Sequence, residues 1–202
     1  MTYLQVILAS GSSSRQTMLA ATGIVFTAIP PEIDEGALRA KMPPAMAAKG
    51  DAVAEHLAER KALAVSIRHP DALVVGCDQV LVCEGRLFNK AVDENQARAT
   101  LRALRGRMHE LISAAVIAKG EAITWRCTDV ARLHMRAFSD DFLKQYLWAE
   151  IPDILGSVGC YRIEGRGAQL FTRVEGDQFT IRGLPLIPVL AALREQGGAL
   201  LS

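Results

Sequence analysis

The stretch Ala72-Leu73-Val74-Val75-Gly76-Cys77-Asp78-Gln79-Val80-Leu81-Val82 decides the architecture. Its β-branched and apolar residues read as a buried strand, and Glu84-Gly85 can turn the following chain back on it as a hairpin. Cys77-Asp78-Gln79 interrupts the run. A carboxylate at the carboxyl edge of such a strand is where open α/β sheets commonly hold their ligands. The plainer alternative is an Asp that ends the strand in an Asx turn.

On either side, strand-like and helix-like segments alternate to both ends, with no repeat and no low-complexity tract. Tyr3 to Ala9 and Val25 to Ile29 read as strands, with a short helix from Arg15 to Ala21 between them. Met46 to Ile67 reads as a long helix and Asp93 to Leu104 as another. Leu111 to Ala118 and Cys127 to Met135 form an antiparallel pair across Lys119-Gly120. Ser139 caps a further helix, with Asp140 and Asp141 in its first turn. Gly156 to Gly183 reads as short strands and turns, and Pro185 opens a last helix that ends near Gly197-Gly198. The expectation is one α/β unit over residues 1–202, built on a mixed sheet, as a single domain or two lobes around a cleft.

Bulk properties narrow the function. The chain has 202 residues, enough for a substantial core, and 23 Lys+Arg against 22 Asp+Glu give a formal charge of +1. That balance argues against a nucleic-acid binder, which needs a basic excess, but leaves small anionic ligands open. The start lacks the basic region of a signal peptide, and no apolar run approaches the roughly 20 residues of a membrane span. Cys77, Cys83, Cys127 and Cys160 have no zinc-type spacing and read as reduced thiols of a cytoplasmic protein.

Four places carry chemistry. Ser10-Gly11-Ser12-Ser13-Ser14-Arg15, between a strand and a helix, offers backbone amides, hydroxyls and a guanidinium fork that suit a phosphate chain; its plainer reading is a helix cap on a flexible turn. Asp34-Glu35 and Asp78 supply carboxylates of the kind that share a divalent cation with substrate phosphates. Lys61 falls on the apolar stripe of its helix with Val53 and Leu57, so it either snorkels to the rim or points into a cleft. Lys90 adds a loop cation. Arg15, Lys61 and Lys90 together would neutralise a triphosphate.

In this order, LASGSSSRQTML, Asp34-Glu35, Glu59-Arg60-Lys61-Ala62, VVGCDQV, Asn89-Lys90, Arg162-Ile163-Glu164-Gly165 and Gly183-Leu184-Pro185 resemble the Maf family of nucleoside triphosphate pyrophosphatases, over essentially the whole chain. The resemblance implies an ITPase-like α/β fold, with an elongated mixed sheet flanked by helices around a central cleft. It implies hydrolysis of the α–β phosphoanhydride of a nucleoside triphosphate with a divalent metal cation, Mg²⁺, Mn²⁺ or Co²⁺. By the family pattern Asp78 accepts the proton of the attacking water and joins Glu35 at the metal, while Ser10, Ser12, Arg15, Lys61 and Lys90 hold phosphates. A homodimer is also implied.

Substrate choice falls on Ser14, Gln79 and Glu164. Relatives that resemble dTTP/UTP pyrophosphatases carry Arg, Thr and Gln there. Relatives that resemble 7-methyl-GTP pyrophosphatases carry Trp, Gln and Glu, and this chain shares the last two. A carboxylate at 164 can accept from the N1–H and N2–H₂ of guanine, whereas Gln suits a pyrimidine. The alternative is a solvated charge beside Arg162 and Arg166. Ser14 lacks the aromatic surface that would stack on a cationic methylated base. Ser13 and Asn89-Lys90-Ala91 depart from the usual Pro and Gly-Lys-Pro, and His109 is assigned no role. The competing readings are a dTTP/UTP pyrophosphatase, a non-catalytic regulator of septum formation or cell division, and a sugar-nucleotide-binding protein.

Overall fold

The computed structural model describes residues 4–198. Strand β1 (Val6–Ala9) pairs in parallel with β2 (Phe26–Ala28) on one side and with β3 (Leu73–Cys83) on the other. The two crossovers leave on opposite faces. Helix α1 (Ser13–Ala20), between β1 and β2, packs Met18 and Leu19 against Val6, Leu8, Val75 and Cys77. Before β3, α2 (Glu35–Ala40) and α3 (Pro44–Ala47) lead into α4 (Gly50–Ser66), which covers the other face against Val80, Ile112, Ala114 and Val116. A parallel sheet whose crossovers diverge leaves a crevice at the carboxyl end of the strand between them, here β1.

Beyond β3 the sheet turns antiparallel. β4 (Arg86–Phe88) folds back through Glu84 and Gly85, whose φ angles of 50° and 75° are those of a primed hairpin turn. α5 (Glu94–Leu104) precedes β5 (Met108–Lys119), which backs β3 from Val74 to Val82. β6 (Ala122–Met135) follows, then α6 (Asp140–Glu150), β7 (Phe171–Glu175), α7 (Gln178–Ile181) and α8 (Leu186–Glu195). The strand order is β2-β1-β3-β5-β6-β7, with β4 on β3. Leu186, Val189 and Leu193 bring α8 onto the α1 face, while α5 and α6 close a separate core with β5 and β6.

One edge of β3 is discontinuous. β1 pairs with it as far as Gly76, and β4 takes over only from Leu81. Residues 77–80 therefore face neither strand on that side, although β5 holds them in line on the other. This continuous support explains why the strand runs through Asp78 instead of ending there, contrary to the sequence expectation.

α4 sits unusually close to this region. A Cβ on Gly76 would stand 2.6 Å from the Ala62 nitrogen and 2.8 Å from its Cβ, and would collide with the Ala58 carbonyl. The apolar face of α4 is fully committed: Val53, Leu57 and Val65 are buried, each such side chain stabilising by about 2 kcal/mol. The helix begins at Gly50, not Met46, which belongs to the separate short helix α3, and a Cβ at 50 would meet Ile112 and Val82 at 2.7 and 2.8 Å. The expected strand from Tyr3 starts at Val6, Tyr3 lying outside the described residues. Both long strands extend further than their hydrophobic runs, and Gly156 to Gly183 contains more helical turns than strand. Among the described residues no helix is long and apolar enough to cross a membrane.

Candidate active site

Side chains alternate along β3, so Gly76, Asp78 and Val80 face α4 while Cys77, Gln79 and Leu81 face the opposite side. On the α4 side, Lys61 Nζ donates to Asp78 Oδ1 at 2.6 Å and lies 2.8 Å from Glu35 Oε1. Lys61 and Asp78 are 7% and 4% exposed, so Lys61 does not snorkel; it bridges two carboxylates inside the fold. Two partners leave the ammonium one N–H to offer a ligand. Asp34 and Glu35 part company. Asp34 caps α2 by accepting from the Ala37 amide at 2.9 Å, which aims Glu35 at Lys61.

Asp78 Oδ2 is buried and has no hydrogen-bond partner among the described residues. Arg39 Nη2 stands 4.0 Å away, held by its own bond to Asn89 Oδ1 at 3.1 Å. Burial would raise the Glu35 carboxyl, but the Lys61 hydrogen bond and the charges of Lys61, Lys90 and Arg39 leave it below the ordinary carboxylate range. Lys90, exposed on the loop after β4, is lowered in turn by desolvation and then by Arg15 and Lys61, against the pull of Glu35 and Asp78. Cations from three elements thus converge on one pair of carboxylates.

The serine loop closes this region at the end of β1. Ser10 is buried, its Oγ accepting from the Ser12 amide at 3.2 Å, and Ser12 caps α1 at the Arg15 amide. Arg15 acts as a clasp, donating from Nε to the Gly183 carbonyl at 2.7 Å and from Nη1 to the Cys77 carbonyl at 3.1 Å. The second bond satisfies a carbonyl on the open edge of β3. Gly183 has φ of 95°, and a Cβ there would press on the guanidinium at 3.3 Å, so both the turn and the clasp require glycine.

On the opposite face, Gln79 Nε2 lies 3.0 Å from each of Ser113 Oγ, Thr180 O and Ile181 O. Its amide donors are occupied, which leaves the carbonyl oxygen as the acceptor for a ligand. Ser113 also donates to Thr180 O at 2.8 Å, Thr180 Oγ1 to Asp129 at 2.6 Å, and Ser14 Oγ to Arg182 O at 3.5 Å. Ser14, Gln79 and Glu164 therefore gather around the turn 180–183, with Glu164 Oε1 3.6 Å from Arg182 Nε.

Glu164 is not the partner of Arg162 and Arg166. Those two reach back to Glu150, 4% exposed, at 3.2 and 3.1 Å, and so pin the segment that carries Glu164. Sequence reasoning missed Glu150, Arg39 and Arg182, because each is a charged residue in a segment whose polarity suggests an ordinary surface. His109 lies away from these groups, fully buried, with Nε2 2.7 Å from Tyr161 Oη. All four cysteines are free thiols, and burial raises Cys77 to about 11. A concavity of about 380 Å³ between α2 and α4, lined by Ile33, Leu38, Arg60 and Leu63, holds none of the groups around Asp78.

Residues 5–196 match the family described as Maf-like protein. A protein of Granulibacter bethesdensis named nucleoside triphosphate pyrophosphatase is 48% identical, over 95% of this chain and 97% of its own length. One of the same name from Paramagnetospirillum magneticum is 47% identical, over 95% and 98%. A 7-methyl-GTP pyrophosphatase of Mesorhizobium japonicum is 46% identical, over 96% of each chain. The solved structure of a HAM1 protein from Coxiella burnetii aligns with a TM-score of 0.39 at 15% identity, over 65% of this chain and 73% of that one.

Proposed function

The chain belongs to the Maf family, and from that premise we propose that it is a nucleoside triphosphate pyrophosphatase that cleaves the α–β phosphoanhydride of a purine nucleotide, guanine or its 7-methyl derivative. The observation that carries the reading is Asp78. One of its oxygens is fixed by Lys61 and the other is buried without a hydrogen-bond partner among the described residues, at the gap in the edge of β3. A buried acceptor left unsatisfied costs stability, and ligand binding would relieve that cost.

Lys61 orients the carboxylate, so that Oδ2 accepts the proton of the attacking water; positioned general bases of this kind contribute about 10²–10⁴ in rate. Arg39, Lys90 and the remaining N–H of Lys61 face the charge that gathers on the leaving pyrophosphate, and the amides of the serine loop complete its cradle. Asp78 and Glu35 are two hard carboxylate donors, a pair that fits a divalent cation completing its shell with substrate phosphates. When bound, the cation supplies charge neutralisation to the phosphate chain.

The base lies on the other face, reached through the gap. Gln79 offers an acceptor and Glu164 a carboxylate, a pair that suits the donor-rich N1–N2 edge of guanine better than a pyrimidine. The test is pyrophosphate release from a panel of nucleoside triphosphates with Mg²⁺, Mn²⁺ or Co²⁺, repeated with Asp78→Asn. Expected are release of pyrophosphate rather than phosphate, and a fall of at least about 10² in the variant with its melting temperature retained. Nucleotide binding without turnover would favour the regulatory reading, and an active Asp78→Asn would overturn the mechanism.

A further inference from the structure

Arg182 belongs to no motif of the sequence reading, yet it occupies the centre of the base side. Its backbone is fixed from three directions: Gln79 and Ser113 hold the carbonyls of Thr180 and Ile181, Ser14 holds that of Arg182, and Arg15 holds that of Gly183. The side chain is 24% exposed, and its Nε is buried without a hydrogen-bond partner among the described residues. Glu164 Oε1, at 3.6 Å, is close enough to pair with the charge but too far to accept that N–H. A buried guanidinium N–H without an acceptor calls for one from a ligand.

We infer that Arg182 is a specificity-determining residue that reads the base jointly with Glu164, and that the pair selects an unmethylated guanine nucleotide. The inference rests on the purine reading of the same site. A carboxylate and a guanidinium side by side present an acceptor edge next to a donor edge. Guanine presents the complement, N1–H and N2–H₂ for Glu164 and O6 with N7 for the arginine fork. Adenine reverses it, turning an amino group towards Arg182 and the bare N1 towards Glu164. Uracil matches at O4 and N3–H but sets O2 against the carboxylate.

A methyl group on N7 removes one acceptor from the fork and places a cation against a cation. Ser14, whose hydroxyl is spent on the Arg182 carbonyl, contributes no ring to stack on that cation. Because Glu164 and Arg182 already neutralise one another, a neutral base can lie against both without leaving either charge unpaired.

The experiment is kcat/KM for GTP, 7-methyl-GTP, ATP and UTP with the parent and Arg182→Met. The parent should prefer GTP over the other three by about ten-fold or more, the scale of one good bidentate contact. In Arg182→Met, GTP should lose about ten-fold, mainly in KM, while ATP changes by less than about three-fold and the gap between GTP and 7-methyl-GTP closes. A uniform fall on all four substrates means a structural role and overturns the inference, as does an unchanged GTP-to-ATP ratio. A parent that prefers 7-methyl-GTP overturns the N7 contact. Should Arg182→Met not fold, Arg182→Lys keeps the charge without the fork and is judged by the same ratios. A parent that prefers UTP sinks the purine reading itself, whereas a GTP-preferring parent with unmoved ratios in the variant sinks only the role of Arg182.

Discussion

Ala62 of α4 rests directly on Gly76 of β3, where a Cβ would stand 2.6 Å from the Ala62 nitrogen. That contact sets the depth at which Lys61, one residue before Ala62, meets Asp78, two residues after Gly76. Gly76→Ala must push helix and strand apart, since the opposing atoms include backbone. The expected cost is about 1–3 kcal/mol in urea unfolding, as for other overpacked cores. Turnover should fall about ten-fold or more, since small displacements of reacting groups are expensive. Parental kcat in Gly76→Ala would show that the helix does not set the site.

Lys61→Met removes the shared cation from two carboxylates, one of them 4% exposed. Breaking a buried pair from one side costs about 3 kcal/mol, measured by denaturant unfolding at neutral pH. Lys61 also holds the Glu35 carboxyl down, so Glu35 should titrate higher in the variant than in the parent by NMR. A Glu35 titration that does not move would mean that the pairing is absent in solution.

His109 predicts an acid limit to stability. Desolvation, aided by the charge of His134, lowers its imidazole to about 4, against about 6.5 in an unfolded chain. The native state keeps the ring neutral, so the contribution is complete above about pH 6.5 and is lost as pH falls towards 4, where the native ring charges too. Across that window the unfolded chain binds the extra proton, so stability should fall by up to about 1.4 kcal/mol per pH unit from this group. His109→Phe should flatten that slope in urea titrations at pH 7, 6 and 5. An unaltered slope would assign the acid sensitivity to other groups.

The sequence was informative where a residue broke its local pattern. Asp78 in an apolar strand and Lys61 on an apolar stripe stood out, and the structure pairs them. Arg39, Glu150 and Arg182 broke no pattern; what distinguishes them is a partner 12 to 50 residues away, created only when the chain folds back. The same limit explains the spans. Repeated apolar positions located α4 and the long strands, but the need for glycine at 50 comes from Ile112 and Val82, which no local window contains. Asp78 and Gln79 are adjacent in sequence and differ in assigned role, and the pleat that sends them to opposite faces becomes visible only once β3 is paired.

The Arg15 clasp carries a consequence for the nascent chain. Its two carbonyl partners come from Cys77, in the middle of the sheet, and Gly183, more than a hundred residues later. A ribosome that has released α4 and β3 has already delivered Lys61 and Asp78, but not the turn that Arg15, Ser14 and Gln79 enclose. Partly synthesised chains carry the carboxylate and its cation while the wall that would receive the base is still missing. Competence should therefore arrive late and abruptly in synthesis, which keeps unfinished chains from acting on the nucleotide pool that surrounds them.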